Sequence, residues 1–156
     1  MIKINLVCLG DIKEKYLKDA ISEYSKRISR FAELKIFELK EHVAQSSSEL
    51  DTQKALLKDA EEIKKYLKGH IICLDIKGKQ MSSEDFAKKI EKTSLTNSEF
   101  SFVIGASNGI HDTIKNISNE KMSFSPMTFP HQLMRVIFLE QLYRAFTILN
   151  NVAYHK

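Results

Sequence analysis

An α/β fold with a mostly parallel sheet flanked by helices is predicted by two observations. Short apolar runs alternate along the chain with helical stretches, in the order β-α-β-α-β-α-β-α-β-α. The run His70 to Ile76 is apolar nearly throughout, as a strand is when helices cover both faces of its sheet.

Ile2 to Leu9 is apolar and β-branched enough for a first strand, which ends at Gly10. Between about Ile12 and Phe31, residues Leu17, Ile21, Tyr24, Ile28 and Phe31 recur at steps of four and three, which places them on one face of a helix. Leu34 to Leu39 alternates as a second strand, and the polar stretch His42 to Ser48 is expected to be a mobile surface loop. A helix is predicted from about Leu50 to Leu67 with Gly69 as its C-cap. After the His70 to Ile76 strand, Lys77-Gly78-Lys79 reads as a turn, and Ser82 or Ser83 opens a helix to about Ile90. Phe100 to Ile104 is a fourth strand, running into Gly105-Ala106-Ser107-Asn108-Gly109. A helix from about Ile110 to Ile117, a short strand Lys121 to Phe124 and a long helix His131 to Leu149 complete the order.

With 156 residues and no linker or repeat, one domain spanning 1–156 is expected. Hydrophobic residues at 43% and charged residues at 28% fit an ordinary soluble globular protein, expected from its two cysteines to be a reduced cytoplasmic one. The apolar start is interrupted by Asn5 and too short for a signal peptide, and no run approaches the ~20 apolar residues a membrane helix needs. Cys8 and Cys73, each inside a strand-like run, are expected to be buried thiols rather than a disulfide. No Cys-x-x-Cys or His-Glu-x-x-His spacing occurs, so no metal is expected. A net charge of +4 is compatible with a nucleic-acid partner without requiring one.

Ligands of open α/β sheets sit beyond the carboxyl ends of the strands, where three segments qualify: Leu74 to Lys79, Gly105 to Gly109 and Ser125 to Pro130. The second equally fits a tight strand-to-helix turn, since it lacks the dinucleotide and P-loop glycine patterns. The third holds both prolines of the chain, so it is either a stiff ligand-presenting loop or a plain helix N-terminus. The last helix is apolar almost all round, which predicts that a second copy of the chain covers what one sheet cannot. Arg135 and Arg144 lie about 180° apart on it and are expected to serve different purposes. The chain closes on Tyr154-His155-Lys156, near enough in sequence to Arg144 to fold back beside it. A terminal imidazole is a ready proton acceptor, although a solvated tail is the plainer alternative.

The segments Val7-Cys8-Leu9-Gly10, Leu74-Asp75-Ile76-Lys77-Gly78-Lys79, Phe102-Val103-Ile104-Gly105, Met127-Thr128-Phe129-Pro130-His131-Gln132-Leu133, Glu140-Gln141-Leu142-Tyr143-Arg144-Ala145-Phe146 and terminal Tyr154-His155-Lys156 occur in one order. In this the chain resembles, over essentially its whole length, the large-subunit (23S) rRNA pseudouridine N3-methyltransferase family of the SPOUT superfamily. The resemblance implies a C-terminal trefoil knot, a homodimer, S-adenosyl-L-methionine as cofactor and large-subunit rRNA within the ribosome as substrate. It also implies cofactor contacts at Leu74, Gly105, Ala106, Ser125, Pro126, Met127, Thr128, Phe129 and Pro130, with catalytic or substrate roles for Arg144, Tyr154 and His155. The family commonly has glycine where Ala106 stands, so the added methyl is expected to crowd the cofactor or force a different backbone angle. Two rivals share the fold: a non-catalytic RNA-binding or ribosome-binding module, and a SPOUT enzyme acting on tRNA.

Overall fold

A computed structural model describes residues 1–156 and contains ten elements in the expected order. They are β1 (Ile2–Leu9), α1 (Lys15–Ile28), β2 (Ala32–Leu39), α2 (Glu49–Lys64), β3 (His70–Gln80), α3 (Ser83–Ser94), β4 (Glu99–Ile104), α4 (Asp112–Ile117), β5 (Glu120–Ser123) and α5 (His131–Leu149). All five strands join one sheet in the order β2-β1-β4-β3-β5, and every pairing is parallel.

Both faces of the sheet are covered, which explains the apolar strands. Ile4, Leu6 and Cys8 of β1 pack with Phe102 of β4 and with Phe138, Leu139 and Leu142 of α5, whereas Val7 and Leu9 meet Ala60 and Ile63 of α2 and Ile114 of α4. Helix α5 lies between α1 and α3 on the first face. Leu133 remains exposed, and Val136, Ile137 and Ile148 are half-buried.

Several boundaries differ from the sequence reading for identifiable reasons. The first helix begins at Lys15 rather than Ile12, and Ile12 is instead tied to β2, its amide donating to the Glu38 carboxylate at 3.1 Å. Gly69 is not a C-cap: α2 ends at Lys64 with Lys65 as cap, and a tightened turn runs on to Leu67. Gly69, at φ +68°, instead leads into β3, where a Cβ would lie 1.9 Å from the Glu99 carbonyl oxygen. Lys77-Gly78-Lys79 does not end the strand. It lies in a bulge of β3, in which Leu74 and Lys79 both pair with Met122, so the residues between them swing out from the ladder. Helix α3 runs on to Ser94 with the Ser82 hydroxyl as N-cap, accepting from the Asp85 amide at 3.0 Å. The stretch His42 to Ser48 has no regular structure but is pinned at His42, whose amide and Nδ1 meet buried Asp59 at 2.9 and 2.7 Å.

Arg135 and Arg144 lie in different surroundings, the first against the sheet end and the second beside the tail. Arg135 is fully buried and clasps the sheet end to α5. It donates to Glu38 at 2.8 Å and to the Leu9 and Gly10 carbonyls at 2.8 and 2.6 Å. That clasp fixes the N-terminal half of α5 against the carboxyl edge of the sheet.

Cys8 and Cys73 are buried free thiols. Burial pushes both up to about 12. Neither thiol is therefore an effective nucleophile near neutrality. An alkylating reagent should leave both unmodified in the native protein and modify both after unfolding, as intact-mass measurement would show.

Candidate functional site

The carboxyl ends of β3, β4 and β5 surround a cavity of about 430 Å³, within the size range of small-molecule sites. Its wall is Leu74 to Lys77 from the β3 bulge, Ile104 to Ile110 after β4, Lys115 of α4, Met122 to Ser125 with Met127, Thr128 and Phe129 after β5, and His131 and Met134 of α5.

Local chemistry shapes each part of that wall. A Cβ at Gly105 would lie 2.6 Å from the Gly109 carbonyl oxygen and 2.7 Å from Ile110 Cγ1, so only glycine lets the loop fold back this closely. The turn closes through Gly109 N–H donating to the Ala106 carbonyl at 2.9 Å, with Gly109 at φ +80°. Ala106 itself has no left-handed backbone angle; Asn151 is the only non-glycine residue with positive φ. The Ala106 methyl packs against the apolar cluster under α2 and α4.

In the loop after β5, Ser125 Oγ accepts from the Met127 amide at 2.9 Å, and the Ser125 carbonyl accepts from Ser123 Oγ at 3.1 Å. Pro126 and Pro130 do not line the cavity. Pro130 is the N-cap residue of α5, and its carbonyl accepts from the Met134 amide at 2.9 Å. The prolines therefore shape the loop, while Ser125, Met127, Thr128 and Phe129 face the space with Leu74, Gly105 and Ala106.

Charge enters the cavity through residues the sequence reading did not single out. Asp75, with its side chain only 12% exposed, lies 3.5 Å from Lys115 Nζ and accepts from the Lys77 amide at 3.2 Å. Asp75 and Lys77 belong to a segment already marked by its position after a strand. Lys115 carried no signal, being one lysine among many on helices.

A second group lies near the C-terminal end of α5, where the tail folds back as expected. Arg144 Nε donates to Glu140 Oε1 at 3.0 Å, and its Nη1 meets His155 Nδ1 at 3.1 Å. The guanidinium carbon stands 4.8 Å from the centre of the Tyr154 ring. Tyr154 Oη donates to the same Glu140 oxygen at 3.1 Å, and its ring packs edge-on against Tyr143 at 4.8 Å. His155 Nε2 meets Glu84 Oε1 of α3 at 2.6 Å.

The electrostatics of this cluster fix the state of most members. Hydrogen bonding to Glu140 raises the Arg144 guanidinium further above neutrality. Burial, then the Glu140 charge, pushes the Tyr154 phenol up to about 12, so it is a neutral donor. Glu140 and Glu84 organise the cluster, and neither was assigned a role from sequence. Glu140 was noticeable only as a carboxylate on an apolar helix.

Within one chain the two groups are separate. From Met134 at the cavity to Arg144 beside the tail, α5 rises about 15 Å.

Residues 2–155 match the family described as predicted SPOUT methyltransferase. The chain is 51% identical over 159 residues to a Methanococcus maripaludis protein named "Putative ribosomal RNA large subunit methyltransferase H", covering 99% of this chain and 100% of the relative. It is 44% identical over 156 residues to the ribosomal RNA large subunit methyltransferase H of Fusobacterium nucleatum, again covering 99% and 100%. Its fold resembles that of a probable methylase family protein from Haemophilus influenzae Rd KW20, with TM-score 0.56 and 14% identity over 98% of this chain and 70% of that one.

Proposed function

The chain belongs to the SPOUT methyltransferase family, and from that premise we propose that it transfers a methyl group from S-adenosyl-L-methionine to N3 of a pseudouridine in large-subunit rRNA. In this reading the substrate is presented by the assembled ribosome in the cytoplasm, and the enzyme is a homodimer with the family's trefoil knot. No helix of the chain is long and apolar enough to cross a membrane. Relatives aligned end to end at 44–51% identity carry the name ribosomal RNA large subunit methyltransferase H, which favours rRNA over tRNA.

The observation that carries the reading is the pairing of a strand-end cavity with an Arg-Tyr-His cluster at the far end of the same helix. The cavity suits the cofactor: Leu74, Ile104, Ile110, Met122 and Met134 supply apolar wall, and the turns at Gly105 and Ser125 expose backbone polar groups beside it. The bound cofactor would supply a methyl group on cationic sulfur, the electrophile of an in-line displacement.

The chain's own residues would do the rest. Arg144, held cationic, offers its fork to negative charge developing on the uracil oxygens. Tyr154 stacks on the base or donates a hydrogen bond to it, and His155 takes the N3 proton so that the nitrogen lone pair can attack carbon. Exposed Lys13, Lys15 and Lys18 would follow the RNA backbone.

A cluster some 15 Å along α5 from its own cavity cannot act there. An antiparallel partner would bring the tail of one chain to the cavity of the other. The exposed Leu133 and half-buried Val136, Ile137 and Ile148 provide apolar surface for that contact.

The test supplies methyl-labelled S-adenosylmethionine to ribosomes lacking the modification, with separated subunits and bare rRNA alongside. Label should enter large-subunit rRNA of whole ribosomes. Gly105→Ala should lower cofactor affinity about tenfold by forcing the loop open, with labelling falling in step. Cofactor binding without label in any rRNA would end the rRNA assignment.

A further inference from the structure

Glu84 is the first-turn carboxylate of α3 that reaches the tail. The Ser82 cap starts the helix, and Ser83 Oγ holds that start against α5 by donating to Gln141 Oε1 at 2.6 Å. Glu84 Oε1 consequently sits 2.6 Å from His155 Nε2, on the opposite side of the imidazole from Arg144 Nη1, which is 3.1 Å from Nδ1.

These two partners determine where the ring proton lies. Arginine has N–H groups only, so at Nδ1 it must donate and the ring nitrogen must accept. Carboxylate oxygen can only accept, so the ring proton is on Nε2 and points at Glu84. The reversed arrangement would set two donors against each other at Arg144 and two acceptors against each other at Glu84.

We propose that Glu84 is a positioning residue for methyl transfer, which holds His155 as the Nε2–H tautomer so that the Nδ1 lone pair faces the reacting base. This rests on the function proposed above. Nδ1 accepts from Arg144 while no base is present. When the target base enters, Arg144 turns its fork to a uracil oxygen, and Nδ1 takes the proton released from N3. The N3 electron pair then forms the bond to the methyl carbon as the carbon–sulfur bond breaks toward sulfur. The imidazolium formed keeps its Nε2–H on the Glu84 carboxylate, which offsets the new positive charge, the role a buried aspartate plays behind a catalytic histidine.

The carboxylate is suited to that role. The hydrogen bond from His155 lowers the Glu84 carboxyl from its ordinary range, which favours the ionised form. It also stands in the first turn of a helix, where the dipole favours negative charge. Its side chain is half-exposed, so its removal should leave the fold intact.

The experiment uses full-length Glu84→Ala and Glu84→Asp, the second as conservative rescue. Steady-state methyl transfer to ribosomes is measured together with nitrogen NMR of the histidine rings. In wild type, His155 should show the Nε2–H form. In Glu84→Ala, where only the Arg144 contact is left to bias the ring, the share of the Nε2–H form should fall and kcat should fall about tenfold or more, with KM for ribosomes and the cofactor Kd unchanged. Glu84→Asp should recover most of the rate. Wild-type kcat in Glu84→Ala, or an unaltered His155 tautomer in that variant, would overturn the proposal. If wild type methylates no rRNA, the functional reading fails, and the tautomer comparison alone decides whether Glu84 sets the ring.

Discussion

Replacing His155 with alanine is expected to lower kcat for methylation of rRNA by about 100-fold or more, with cofactor affinity unchanged. The split follows from where the two groups lie. His155 touches Arg144 and Glu84, and neither it nor its partners contribute to the cavity wall. Removing the imidazole leaves the cavity intact but takes away the proposed acceptor for the N3 proton. Arg144 and the Tyr154 phenol would remain, both held by Glu140, so binding and orientation of the base should survive. Single-turnover transfer and isothermal titration of the cofactor separate the two effects. A His155→Ala enzyme with wild-type kcat would show that the proton leaves by another route, and equal losses of affinity and rate would make the tail part of the cofactor site.

What the sequence made legible is what periodicity and turn chemistry encode locally. The limits of α5, His131 to Leu149, match the expectation because Pro130 starts the helix and the apolar run continues to its end. A mostly parallel sheet followed from the alternation of strands with helices and the apolar run His70 to Ile76, and every pairing proves parallel. Local chemistry misled where two structures need the same residues. Lys77-Gly78-Lys79 suits a turn or a strand bulge equally, and pairing with Met122 decides for the bulge. Gly69 similarly suits a cap or a close approach, and the Glu99 carbonyl decides for the second. Long-range polar partnerships left no trace at all. Glu84 lies 71 residues before His155, and Glu38 lies 97 before Arg135. Position after the strands and the closing Tyr154-His155-Lys156 marked the cavity segments and the tail, the family resemblance gave their residues roles, and the structure adds the carboxylates that hold the tail.

The proposed homodimer makes the most demanding prediction, because it would require each active site to be built from two chains. Gly105→Ala damages only the cavity, and His155→Ala damages only the tail. At cofactor concentrations below saturation, Gly105→Ala alone should keep about a tenth of the rate and His155→Ala about a hundredth. If the tail of one chain serves the cavity of its partner, a dimer holding one copy of each variant has one site with an intact cavity and an intact tail. Its second site is damaged twice. Random exchange of equal amounts would make about half of the dimers mixed, so activity should return to about a quarter of wild type. Mixing without subunit exchange should restore nothing, which controls for simple addition of two weak enzymes. Failure of exchanged mixtures to recover would mean that tail and cavity act within a single chain. That result would require α5 or the tail to rearrange by about 15 Å, since the helix rise between Met134 and Arg144 cannot be closed by side-chain rotation. Recovery near a quarter would instead assign the apolar outer face of α5 to the contact that completes the enzyme.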